Sequence, residues 1–210
     1  MAFQLLRRCE TATCYIYAVS LPLRPVHLPL ILASQSPRRR ELLATAGISF
    51  TVRAREVEEI RALGEAPDAY ARRLARAKAE AAWEDRDEIV LGANTIVVLD
   101  QSVLEKPRDR ADARAMLRRL SGREHTVITG ICLRHPGGVE VDSSATRVRF
   151  TSLTDAEIDA YAASGEPMDK AGAYAIQGLA SKFIERVEGC YFNVIGLPLS
   201  QVYRYLKRLE

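Results

Sequence analysis

The stretch that most constrains the fold is LGANTIVVLD, residues 91–100. Ile96 to Leu99 are apolar and mostly β-branched with no polar alternation, the pattern of a buried strand. Its lead-in, Gly92-Ala93-Asn94-Thr95, puts small and polar groups at the mouth of that strand. The flanking sequence supplies neighbours for it. LPLILASQSPRRRELLATAGISF reads as a strand over 28–33, a tight turn and a helix, with Ser36 as N-cap, Pro37 at the first helical position and Gly47 as the stop. EAPDAYARRLARAKAEAAWED predicts a second helix with Tyr70, Leu74, Ala77 and Ala81 on one face. Asp109 caps a third, with Ala113, Met116, Leu117 and Leu120 inward and Gly122 ending it.

Further on, HTVITGICLRHPGGVEVDSSATRVRF predicts two strands around the turn Pro136-Gly137-Gly138. Thr154 and Glu157 have the spacing of a capping box. Leu199, Val202, Tyr203, Leu206 and Leu209 form the stripe of a last helix starting near Pro198. Strands and helices alternate first and then give way to a hairpin, so the expected class is α/β with a mixed sheet flanked by helices. With 210 residues, 48% hydrophobic and 27% charged, the chain suits one domain with a substantial core. We place that domain at 28–210 and read 1–27 as a peripheral extension, because it lacks amphipathic periodicity and any apolar run long enough for a bilayer. Glu10 and the threonines beside it argue against a signal peptide.

A net charge of +3 does not call for nucleic acid, and no aromatic and basic platform interleaves, so neither nucleic acid nor a membrane is an expected partner. Cys9, Cys14, Cys132 and Cys190 show no paired metal-ligand spacing, which leaves the reduced thiols of a cytoplasmic protein as the expectation.

The first chemical signal is SQSPRRREL. Arginines in the first turn of a helix oppose the positive end of its macrodipole, where acidic side chains are favoured by roughly 0.3–1 kcal/mol each. A bound anion resolves the conflict: the helix N–H groups, the Ser34 and Ser36 hydroxyls and the forks of Arg38 and Arg39 all suit phosphate. Three solvated arginines are the plainer alternative. Lys78, Lys106 and Lys170 read as surface lysines by default, but Lys106 precedes Pro107 and Lys170 precedes a Gly-Ala-Tyr turn, reversals from which an ammonium reaches inward. Glu56, Glu58 and Glu59 suit either a divalent ion or a solvated loop.

Taken in order, LASQSPRRRELL, RLARAKA, LGANTIVVLD, LEKPRD, LSGREHTVITG, DKAGAYAIQG and NVIGLPL resemble the Maf family of nucleoside triphosphate pyrophosphatases over residues 28–207. The resemblance implies an α/β fold similar to the inosine triphosphate pyrophosphatase group, with two lobes around a cleft. It implies hydrolysis of a nucleoside triphosphate to monophosphate and pyrophosphate with Mg²⁺ or Mn²⁺, and leaves a homodimer open. It assigns Ser34, Arg38, Arg39, Lys78, Thr95, Lys106 and Gln177 to substrate and Glu59 to metal. Arg38, Thr95 and Gln177 are similar to the dTTP/UTP branch, whereas the 7-methyl-GTP branch carries Trp, Gln and Glu there. The chemistry agrees, since the Gln177 amide both donates and accepts and so matches the carbonyl and N–H edge of thymine or uracil.

One residue departs from that pattern. The family motif reads Gly-Ala-Asp-Thr, its Asp taken as general base, and this chain has Asn94. An amide accepts no proton at neutral pH and lacks the charge a divalent ion prefers; loss of a general base costs ~10²–10⁴ in rate. Open alternatives are a substitution introduced to trap substrate, a natural member of reduced or altered activity, a base supplied by Glu58 or Glu59, a non-hydrolysing nucleotide-binding or regulatory protein, and a plain turn amide. Cys190, in EGCYFNV, reads as a tolerated packing change.

Overall fold

The structure, a computed structural model, describes residues 28–209. The reading of 1–27, with Cys9 and Cys14, lies outside the described residues. The strand expected from Ile96–Leu99 is the C-terminal end of a longer one, β3 (Ile89–Leu99), and the rest of the sheet is built around it. Before it come β1 (Leu30–Leu32), α1 (Pro37–Thr45), β2 (Thr51–Val52) and α2 (Pro67–Ala82). After it come β4 (Ser102–Leu104), α3 (Arg110–Leu120), the hairpin β5 (Glu124–His135) and β6 (Gly138–Phe150), α4 (Asp155–Ala163), three 3₁₀ turns between Glu166 and Phe183, β7 (Ile184–Glu188), α5 (Tyr191–Ile195) and α6 (Leu199–Arg208). The strand order is β2-β1-β3-β5-β6-β7, with β4 folded back on β3. β1 is parallel to β2 and β3, and the remaining pairs are antiparallel, so the sheet is mixed. Among the described residues no helix is long and apolar enough to cross a membrane.

Alternation along β3 divides its side chains between two helical layers. Ile89, Leu91, Ala93, Val97 and Leu99 join the large core shared with α1, α3, α4 and α6. Val90 and Ile96 turn to the opposite face, which α2 covers. α2 comes in unusually close: a Cβ on Gly92 would lie 2.1 Å from the Ala75 carbonyl oxygen, and one on Gly130 of β5 would lie 2.3 Å from that of Ala71. These two glycines and the alanines of α2 therefore set which stripe is buried. It comprises Tyr70, Ala71, Leu74, Ala75, Ala79 and Ala82, which corrects the expected face: Ala77 is half-buried and Ala81 exposed. The stripe of α6 shifts as well, because Gln201 and Tyr205 turn toward Asp142 of β6 and leave Tyr203 exposed. Met116 of α3 is half-buried.

The expected caps form, with one exception. Asp109 accepts the Asp112 N–H, and Thr154 and Glu157 complete a reciprocal capping box on α4. Ser36 stands at the N-cap of α1 with Pro37 behind it, yet its side chain makes no capping bond.

The ladder on one edge of β3 has a gap. β1 pairs with it up to Leu91, and β4 pairs with it only from Val97 to Leu99. Between those pairings the strand has no neighbour on that side, and Asn94 and Thr95 fall inside the gap. The chain leaving β1 at Ala33 turns there into α1.

Candidate active site

A cleft of about 660 Å³ opens at the gap in the ladder. The eight residues that the family resemblance assigns, Ser34, Arg38, Arg39, Glu59, Lys78, Thr95, Lys106 and Gln177, all line it, together with Asn94. They come from the β1–α1 turn, the first turn of α1, the segment before α2, α2 itself, β3, the stretch after β4 and the 3₁₀ region. Residues from both helical layers therefore meet in one place. Six cationic side chains face four carboxylates along the lining, a balance that suits a polyanion.

Arg39 is the bracket of this arrangement. Its side chain is buried and donates from Nε to the Gly196 carbonyl at 2.8 Å, from Nη1 to Ser34 Oγ at 2.9 Å and from Nη2 to Thr95 Oγ1 at 3.1 Å. Three of the five guanidinium donors thus tie α1 to β3 and to the loop after α5, leaving two for a ligand. Burial, with Arg38 adding to it, pushes Arg39 down to about 10, so it remains cationic at neutral pH. Ser34 Oγ also accepts the Ser36 N–H at 3.3 Å. Without a side-chain cap on α1, the Arg38 and Arg39 N–H groups remain available to an anion. Arg38 reaches across the cleft to Asp169, Nη1 to Oδ2 at 3.1 Å. Thr95, on the same face as Arg39, shares a hydroxyl contact of 2.9 Å with Thr129.

On the α2 face, Lys78 Nζ donates to Asn94 Oδ1 at 2.9 Å and pairs with Glu59 Oε1 at 2.7 Å. The approach of α2 to Gly92 brings this lysine onto the β3 mouth. Burial lowers the Lys78 pKa, while Glu59 opposes the shift. Lys78 engages one lone pair of the Asn94 oxygen, and the amide adds two N–H donors but no negative charge.

Comparison with known proteins places these residues in a family. Residues 29–209 match the Maf-like protein family. The chain belongs to that family. The dTTP/UTP pyrophosphatase of Koribacter versatilis is 52% identical over 180 residues, covering 85% of this chain and 93% of its own. That of Vibrio cholerae is 50% identical over 181 residues, covering 85% and 97%. Among solved structures, a HAM1 protein from Coxiella burnetii has a TM-score of 0.47 at 16% identity over 86% of this chain and 99% of its own, a likeness too distant to bear on the site.

Several residues complete this Maf site without having been singled out from sequence. Tyr70 reads from its spacing as core alone, yet its single O–H lies within hydrogen-bond reach of two acceptors, the Glu59 carbonyl at 2.8 Å and Glu105 Oε1 at 3.1 Å. Glu105, beside Lys106, carries no signal beyond its charge. Asp169 stands at the lip facing α1 and pairs with Lys170, the lysine that the sequence does place at an inward-reaching reversal. Tyr174, Ile176, Val194 and Ile195 give the cleft an apolar wall. Of the three glutamates in REVEEI, Glu56 and Glu59 line the cleft and Glu58 is not among the lining residues.

The donor set suits a resident divalent ion poorly. Glu59 is paired with Lys78, Glu105 with Tyr70, and Asp169 with Arg38 and Lys170, while position 94 offers a neutral amide already facing an ammonium. Among the described residues no group of three or more His, Cys, Asp or Glu side chains is close enough to hold a metal.

Proposed function

We propose that this chain is a nucleoside triphosphate pyrophosphatase that selects dTTP and UTP and hydrolyses them slowly. The observation that carries the reading is the convergence of Arg38, Thr95 and Gln177 on one cleft with Ser34, Arg39, Lys78 and Lys106. In this reading the uncapped start of α1, Arg38 and the two lysines hold the triphosphate and neutralise charge as the bridging oxygen leaves. Gln177, on the apolar wall, pairs with the pyrimidine edge. A water attacks the α-phosphorus to give monophosphate and pyrophosphate. Asn94 stands where an aspartate would take that water's proton and, with its oxygen turned to Lys78, takes none. Mg²⁺ or Mn²⁺ enters with the substrate as the metal–nucleotide complex, Glu59 being the nearest carboxylate to Lys78. The free thiols of Cys132 and Cys190 suit a reducing, cytoplasmic compartment.

The Asn94–Lys78 bond also favours a second reading, a protein that binds nucleotide without hydrolysing it. Measuring equilibrium binding and pyrophosphate release with Mg²⁺ and each of dTTP, UTP, dATP and dGTP tests both. Pyrimidine-selective binding with slow release supports the first reading, selective binding with no release supports the second, and equal binding of purines contradicts both.

A further inference from the structure

We propose that Tyr161 and Glu166 are positioning residues for base selection, a hydroxyl–carboxylate clamp that fixes the turn carrying Gln177. The inference rests on the reading of Gln177 as the group facing the pyrimidine. Gln177 occupies the third position of a β-turn closed by the Gly178 N–H on the Ala175 carbonyl at 3.1 Å. The side chain is exposed on the cleft, so its direction depends on how well the turn beneath it is held.

Both ends of that turn are held by one connected pair. Tyr161 Oη accepts the Ala175 N–H at 3.1 Å, on the entering side, and donates to Glu166 Oε1 at 2.8 Å. The other carboxylate oxygen, Glu166 Oε2, accepts the Leu179 N–H at 3.1 Å, on the leaving side. Gly178 makes room for this contact: a Cβ there would lie 2.4 Å from each Glu166 carboxylate oxygen. Its φ of −102° lies outside the left-handed region, so the carboxylate's approach is what demands glycine.

The clamp is anchored in turn. Tyr161 is buried in α4, whose start is fixed by the Thr154–Glu157 capping box, and its ring stands edge-on to Phe183 with centroids 5.6 Å apart. Glu166 donates its N–H to Ser164 Oγ at 3.2 Å and accepts Lys170 Nζ on its carbonyl at 2.8 Å. Burial and the neighbouring carboxylate raise the Tyr161 pKa, which keeps the phenol a donor. A base-reading amide must be held to within about 0.5 Å to discriminate, and such placement comes from supporting hydrogen bonds of this kind.

The test measures binding of Mg·dTTP and of inorganic tripolyphosphate, which carries the charge and no base, by calorimetry. The proteins are the full chain and its Gln177→Ala, Tyr161→Phe, Glu166→Gln and Gly178→Ala variants, with melting curves alongside. Tyr161→Phe removes one oxygen and keeps the ring against Phe183. We expect about tenfold weaker dTTP binding in all four variants, the scale of one lost hydrogen bond, with tripolyphosphate affinity unchanged. A merely structural role leaves the ratio of the two affinities where it is in the full chain. Loss of dTTP preference in Gln177→Ala but not in the clamp variants overturns the clamp and leaves the reading of Gln177 intact. Preference retained in all four overturns both.

Discussion

In the proposed reading Gln177 discriminates by hydrogen-bond polarity, because an amide presents one donor face and one acceptor face to a base edge that has both. Gln177→Glu keeps the shape, removes the donor and adds charge. It should weaken dTTP and UTP binding by about 1–3 kcal/mol in a titration, and unchanged affinity would remove Gln177 from the base-reading role. A second residue, His125, sits behind the site, with Nε2 2.8 Å from the Tyr174 hydroxyl and Nδ1 without a partner. Burial pushes it down to about 4 from an ordinary 6.5, so it is neutral in the fold at physiological pH. Between those two values the unfolded chain binds the extra proton, so stability falls as pH drops through that window. The loss is on the order of 3 kcal/mol over the full span. Chemical denaturation at pH 7 and pH 5 should show a smaller acid loss in His125→Gln, which keeps a partner for Tyr174 and cannot titrate; equal losses would contradict the assignment. Residue identity is what a sequence displays directly, and so the Asn94 departure is legible there. Its bond to Lys78 is not, because the two stand 16 positions apart on different elements, α2 and β3.

At the scale of elements, the helices with chemical punctuation are the ones that sequence places well. Pro37 begins α1, Asp109 caps α3, and Thr154 with Glu157 caps α4. The face of α2 is harder to read, since a helix rich in alanine has little contrast from which to choose a stripe, and Gly92 and Gly130, distant in sequence, make the choice. β4 escapes notice because its hairpin turns through Asp100 and Gln101 at φ of 48° and 67°, with no glycine to signal the reversal. β2 and α5, two and five residues long, fall below the length at which periodicity speaks. The close approach of α2 yields a test of its own. Gly130→Ala forces a methyl against the Ala71 backbone and should destabilise the fold by about 1–3 kcal/mol in urea. It should also weaken triphosphate binding, because α2 carries Lys78. Wild-type stability and affinity together would show that the helix can yield.

For the molecule as a whole, the site is made by topology. Residues spread from position 34 to position 177 meet because β3 lacks a neighbour on one edge between Leu91, where β1 pairing ends, and Val97, where β4 pairing is met, and the helical layers on both faces converge on that gap. Periodicity and capping predict the layers but do not say where they converge. The ordered motifs carry that information through the family resemblance, and Tyr70, Glu105 and Asp169 stay hidden because each acts through a partner remote in sequence. We read this cleft as assembled for pyrimidine triphosphate hydrolysis and lacking one carboxylate. The most direct test is pyrophosphate release from saturating dTTP and Mg²⁺ by the full chain and by Asn94→Asp, a nearly isosteric change, across pH 5–9. The account predicts a gain of at least ~10², the low end of a general base's contribution, and an acidic limb in the profile of the aspartate variant. An aspartate variant no faster than the original chain would place the base elsewhere and contradict the account.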